Sequence, residues 1–169
     1  MKHGLCVVTL VLFVLAFTQV GAAEDVVILD GTALTRVVPT SFYFEGQSGP
    51  TQMRNSVAVR FGEKHHVIVA LMDTAGYSSD VRAKYEGFII NDSKLLIGDK
   101  EVGVGAYGFG VSKDSKFNLF DIGGNLLVSI EGQKDTATKT PRPLSVIKDD
   151  VGVRLYRGRS YVNLTDKSH

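Results

Sequence analysis

Beyond position 6 the chain contains no cysteine, and it contains no tryptophan anywhere. Cys6 sits within the first apolar run, so a chain that begins after that run carries no thiol. That excludes disulfides, a thiol nucleophile, a thiolate metal site and an iron–sulfur cluster. A lipid anchor is not indicated either, because a lipoprotein cysteine would stand at the end of the run, after small residues. An excess of either charge is also missing. The sequence has 19 basic and 18 acidic residues, and removal of Lys2 with a leader equalises them. A neutral chain without an evident basic cluster argues against nucleic acid as a partner, since phosphate neutralisation dominates such binding. It argues equally against electrostatic attachment to a membrane surface. With no tryptophan, a sugar-stacking platform would rest on the six tyrosines.

What is present first is an address. Met1, Lys2 and His3 give a short basic start, Gly4 to Phe17 is almost wholly apolar, and Thr18 to Ala23 ends in small residues. This order is expected of a secretory signal peptide over residues 1–23, with the mature chain starting at Ala23 or Glu24. The run is short for a membrane span, which needs roughly 20 apolar residues. The expectation is therefore a secreted or periplasmic protein with no integral span after signal removal. Residues 24–169 are read as a single β-rich domain. A chain of about that length buries roughly 68–70% of its unfolded surface in one core.

Short apolar runs alternate with turn residues every eight to twelve positions, the pattern of an all-β sandwich or partly closed barrel. Eight to eleven short, mostly antiparallel strands are expected. Val57 to Phe61 turns at Gly62-Glu63-Lys64 into Val67 to Met72, whose unbroken apolar run suits a strand buried on both faces. Phe88-Ile89-Ile90 leads into Asn91-Asp92-Ser93, and Leu95-Leu96-Ile97 into Gly98-Asp99-Lys100. Phe117 to Ile122 turns at Gly123-Gly124-Asn125 into Leu126 to Ile130, and Arg157-Gly158-Arg159 joins Val151–Leu155 to Tyr161–Leu164. At most one short helix is expected, the candidate being Ser78 to Tyr85, where Ser78 or Ser79 could cap a turn or two. Gln133 to Pro143 reads as a long loop or crossover.

Gly103, Gly105 and Gly108 have the spacing of a dinucleotide fingerprint, but strand and turn follow where that site needs a helix. Such glycines mark bulges or close backbone approach, and no cofactor is expected. Asp73-Thr74-Ala75-Gly76 also has the shape of a GTPase D-x-x-G box, but no phosphate loop accompanies it. The same residues resemble the Asp-Thr-Gly signature of single-domain aspartic proteases, with Phe120 to Leu127 as a loose counterpart of that family's later apolar-glycine segment. The resemblance implies a homodimeric hydrolase acting through Asp73, whose carboxylate would share a proton with its twin. Ala75 departs from the signature and displaces its glycine. The competing reading is an aspartate that ends a buried strand and caps a turn or short helix. Gly46-Gln47-Ser48-Gly49-Pro50 resembles the serine loop of chymotrypsin-like proteases, but it is one residue short and precedes the histidines.

His65 and His66 are neighbours on a predicted strand, so their rings should point to opposite faces, and no metal site is expected. Asn91-Asp92-Ser93 and Asn163-Leu164-Thr165 are glycosylation sequons. Two glycine-rich stretches concentrate recognition chemistry: Ser41 to Ser56 and Asp73 to Tyr85. Tyr43, Gln47, Gln52, Arg54, Asn55, Tyr77 and Tyr85 are their candidate ligand-binding residues, because amides, arginine and tyrosine suit a binding rim. The alternative for the first stretch is one more strand with Phe42 and Phe44 in the core. The leading expectation is an exported, non-enzymatic module that binds a small ligand or another exported protein. The Asp73 hydrolase is the alternative.

Overall fold

The apolar runs fold into two antiparallel sheets in a computed structural model that describes residues 25–150 and 152–167. The expected leader, its cleavage point, Val151 and His169 lie outside the described residues. The large sheet takes β1 (Val26–Leu29), β2 (Ser41–Phe44), β3 (Gln47–Phe61), β4 (His65–Met72), β5 (Gly87–Asn91), β8 (Gly105–Val111), β9 (Lys116–Phe120) and β10 (Leu126–Glu131). Its strands run in the order β1-β3-β4-β5-β8-β9-β10, with β2 paired to the first part of β3. The small sheet takes β6 (Leu95–Ile97), β7 (Lys100–Val102), β11 (Gln133–Lys134), β12 (Ser145–Asp149), β13 (Gly152–Arg157) and β14 (Ser160–Asp166). Its order is β12-β13-β14-β6-β7, with β11 beside β14. Neither sheet closes on itself, so the fold is all-β and sandwich-like.

β4 shows how the sequence builds two cores from one strand. Val67, Val69 and Leu71 enter the core between the sheets, where they meet Leu95, Ile97, Leu155 and Leu164 of the small sheet. Ile68, Ala70 and Met72 point the other way, into a second core on the outer face of the large sheet. The two-residue period of a strand therefore turns one continuous apolar run into two buried faces. The second core is roofed by α1 (Gly31–Val37), β2 and α2 (Ser79–Lys84), through Leu34, Phe42, Phe44, Val81 and Tyr85. Each fully buried aromatic or aliphatic side chain contributes about 1.5–3 kcal/mol.

Most of the expected turns are present. β3–β4, β6–β7, β8–β9, β9–β10 and β13–β14 are antiparallel neighbours joined by short turns. Asn91-Asp92-Ser93 is different: it carries the chain from the large sheet to the small one. Asn91 is buried there, and its Nδ2 donates to the carbonyls of Ser93 (2.6 Å) and Gly103 (2.7 Å). The described residues hold fourteen strands where eight to eleven are expected; β6, β7 and β11 are only two or three residues long. Helix α2 starts as expected, with Ser78 Oγ accepting the Val81 amide at 3.3 Å. Helix α1 was not expected; it begins at a glycine and has no side-chain cap bond.

The glycines of β8 explain how α2 docks. A Cβ on Gly110 would stand 1.9 Å from the Ala83 carbonyl oxygen, and one on Gly108 would stand 2.2 Å from the Tyr85 ring. The helix and its tyrosine lie directly on bare backbone, the close approach that interior strand glycines permit. A strand, β9, follows these glycines in the chain.

Candidate functional site

The seven residues singled out as a binding rim separate into three groups. Tyr43, Gln47 and Arg54 are exposed on the β2–β3 hairpin and along β3, and Tyr43 keeps 57% of its surface in water. Gln52 and Asn55 serve the backbone: the ladder between β3 and β4 shifts register between Thr51 and Ser56. Gln52 Nε2 donates to the Met72 carbonyl at 2.8 Å, and Asn55 Nδ2 donates to Gln52 Oε1 at 2.7 Å. Gln52 thereby satisfies a carbonyl at a bulge, which otherwise leaves ladder groups unpaired, and Asn55 holds the Gln52 amide in place. Tyr77 and Tyr85 belong to the roof. Tyr77 OH donates to the Ser48 carbonyl at 2.9 Å, and its ring tilts against Phe44 at 5.5 Å.

Tyr85 is a core residue and no part of an exposed rim. Its ring has no solvent exposure, stacks on Phe44 at 4.5 Å, and its OH donates to the Asp121 carbonyl at 2.8 Å. Burial, followed by the nearby Glu45 and Asp121 carboxylates, pushes its phenol up to about 12. Phe42 and Phe44 are likewise buried, and Phe42 stacks on Phe88 at 4.9 Å. The turn between β2 and β3 is Glu45-Gly46, with φ of 44° and 75°. Positive φ at both central residues is the hairpin turn whose twist matches its strands. Glu45 is held in that conformation by its amide, which donates to the Ile122 carbonyl at 2.6 Å.

Asp73 ends β4 in an exposed turn. Its Oδ1 accepts the Ala75 amide at 3.2 Å, and its own amide donates to the Pro50 carbonyl at 2.8 Å. It caps that turn and not the helix, whose cap is Ser78. Asp121, in the segment loosely matched to the protease family, organises the β9–β10 turn. The Asn125 side chain, with the Asn125 and Gly123 amides, holds its carboxyl below the usual range. The two histidines depart from expectation: His65 Nδ1 and His66 Nδ1 lie 3.8 and 3.5 Å from the single carboxylate of Asp92. Asp92 sits beyond the strand end, where both rings can reach it; its Oδ1 also accepts the His66 amide at 2.7 Å. Among the described residues, no three His, Cys, Asp or Glu side chains gather closely enough to hold a metal ion.

The outer face of the small sheet carries the polar concentration that sequence reading placed elsewhere. Arg154 stands 5.2 Å above the Tyr161 ring, and its Nε donates to Asp149 at 2.6 Å. Tyr156 and Tyr161 pack 5.1 Å apart; their hydroxyls reach Asp135 (3.3 Å) and Gln133 (2.5 Å). The segment after β11 then folds over one corner of this face. It is braced from beneath. Arg159 donates to the carbonyls of Thr138 and Lys139, the Asp135 amide donates to the Arg159 carbonyl at 2.9 Å, and the Gly158 amide donates to the Arg142 carbonyl at 3.2 Å. Asp135 accepts the Ala137 and Thr138 amides and the Thr138 hydroxyl, the last being the main reason its carboxyl lies below the usual range.

Between this braced segment and the sheet lies a pocket of about 260 Å³. Thr138, Thr140 and Arg142 form one wall; Ser145, Val146, Ile147, Tyr156 and Gly158 form the other. Arg142 lies within the segment Gln133 to Pro143, read from the sequence as a long loop or crossover. The available signal was local charge: residues 133–160 hold seven basic and three acidic residues, a cluster hidden by the near-neutral total. A smaller cleft, about 140 Å³, lies between Glu101, Val102 and Gly103 on one side and Tyr107, Leu119, Leu127 and Val128 on the other. It opens where the edge strands β7 and β10 face each other, beside exposed Val104 and Leu126. No protein-family model matches the chain, and neither a curated protein nor a solved structure is detectably similar to it.

Proposed function

We propose that this protein is an exported, non-enzymatic module that binds a small ligand in the pocket between residues 138–142 and the β12–β13 edge. Export rests on the basic, apolar and small-residue order of Met1 to Ala23. The observation that carries the binding reading is a concave site whose mobile-looking wall is in fact fixed by hydrogen bonds from Arg159, Asp135 and Gly158. Pre-organised walls reduce the ordering cost of binding. The volume, about 260 Å³, lies just under the range of drug-sized sites, which fits a small metabolite-sized ligand. The neighbouring side chains favour binding over chemistry. Tyr156 and Asp135 are engaged with each other, and the Asp135 carboxyl is held in its charged form.

Native mass spectrometry of protein purified from the exported fraction of its own host tests this reading. A small-molecule adduct is expected on the wild type and not on Thr140→Trp, which fills the pocket from an exposed position. An adduct that survives Thr140→Trp, or a co-purified protein in its place, would remove the pocket from consideration.

A further inference from the structure

We infer that the ligand of this pocket is a small organic oxyanion, a molecule with one phosphate, sulfate or carboxylate group on a compact apolar body. The inference rests on the pocket reading above and adds the chemistry of its occupant. Among the described residues, Arg142 makes no side-chain hydrogen bond and no ion pair, and its carbonyl accepts the Gly158 amide. Prolines on both sides fix φ at 141 and 143 and hold the backbone that presents the guanidinium. Among the described residues, the Thr140 and Ser145 hydroxyls also have no hydrogen-bond partner. One planar fork of donors with the Thr140 hydroxyl on the same wall, and the Ser145 hydroxyl on the wall opposite, supply the donors that the oxygens of phosphate, sulfate or carboxylate accept from.

Local electrostatics favour the same class. The acidic groups near the pocket are already committed: Asp135 to the Thr138 hydroxyl, two amides and Tyr156, and Asp149 to Arg154. Among the described residues, the Arg159 guanidinium bonds to carbonyl oxygens and to no carboxylate, so it adds positive charge beside the pocket. An anion entering here meets positive charge and displaces no carboxylate. Ile147 gives the opposite wall its apolar surface and keeps 53% of its own surface exposed. A bare inorganic ion would leave that apolar wall in water, whereas an organic body covers it.

Titration calorimetry with phenyl phosphate, phenyl sulfate and benzoate, each against neutral benzamide, tests the inference. At least one anion should bind at concentrations that saturate a millimolar site, tenfold or more tightly than benzamide. Binding should weaken as salt rises. Arg142→Gln should weaken it at least tenfold with an unchanged melting temperature, and Arg142→Lys should recover part of the loss. The preferred anion identifies the head group. If benzamide matches benzoate and Arg142→Gln changes nothing, the anion assignment fails while the pocket reading stands. If none of the four probes binds, the oxyanion assignment also fails. Loss of the native adduct in Thr140→Trp still reports separately on the pocket.

Discussion

The large sheet's outer face is roofed by two helices and a strand, whereas the small sheet's outer face meets only a braced loop at one corner. The first face is apolar: Phe42, Phe44, Tyr85 and Phe88 form a stacked aromatic layer with almost no exposure. The second is polar and aromatic at once, and its side chains pair with one another: Arg154 with Asp149 and Tyr161, Tyr156 with Asp135. A face that must exclude water has its side chains fixed by packing. A face left open can keep donors that no internal partner uses, as Arg142, Thr140 and Ser145 do. The proposed pocket therefore lies on the open face, although the sequence concentrates its conspicuous aromatics and glycines under the roof.

The comparison breaks most visibly by truncation. Phe44→Ala removes a fully buried ring that touches Tyr77 and Tyr85, and should cost about 3–5 kcal/mol. Ile147→Ala, on the open face, should cost less than about 0.5 kcal/mol. Urea denaturation of both variants measures the contrast. Equal losses would mean that the open face is covered in solution by something the isolated chain does not supply.

Much of this was legible in residue order. The period-two runs gave the all-β class, the Gly62, Gly98, Gly124 and Gly158 turns, and a Val67–Met72 strand buried on both sides. Ser78 announced the start of α2. Other features were hidden for physical reasons. Helix α1 runs Gly-Thr-Ala-Leu-Thr-Arg-Val, with a glycine, two threonines and a valine that all have weak helix propensity. It forms because Leu34 and Val37 pack on the second core, and such a tertiary contact leaves no local signature. The structure places the seven rim candidates in three groups, and composition cannot separate an amide open to a ligand from one bonded within the fold. Gln52 and Asn55 are of the second kind. The pocket was missed because charge was summed over the whole chain, which cancels the surplus near Arg142.

A second test sharpens the contrast at one atom of the roof. Tyr85→Phe keeps the ring and removes only the hydrogen bond to the Asp121 carbonyl, so it should cost about 0.5–1.5 kcal/mol near neutral pH. The pH dependence gives a second readout. Burial raises the folded phenol to about 12, above its ordinary value of 10.0. As pH climbs past 10 the unfolded chain loses this proton first, so wild-type stability falls between those two values. The variant lacks that component, and its disadvantage should shrink over the same window. A difference that stays constant from neutral pH to 12 would place the phenol in water, contrary to its burial.

The smallest effect concerns Asp73, where the two readings of one residue differ in kind. In the structure it is exposed and accepts a single backbone amide, that of Ala75 at 3.2 Å. An asparagine oxygen can accept the same bond, so Asp73→Asn should change stability by less than about 0.5 kcal/mol. Asp73→Ala removes the acceptor and should cost more than Asp73→Asn, up to about 1 kcal/mol for a cap of this type. A catalytic carboxylate would behave otherwise. It would need a twin from a second chain, and Asp73→Asn would abolish proteolysis and leave the fold intact. Casein digestion near pH 4, run beside melting curves of all three proteins, separates the two. No cleavage by the wild type and a graded loss from Asn to Ala are expected, because an aspartate turned toward its own turn amide holds the chain and not a substrate. Wild-type cleavage that vanishes in Asp73→Asn would reverse that assignment and favour the Asp73 hydrolase, at the end of β4, over the proposed pocket.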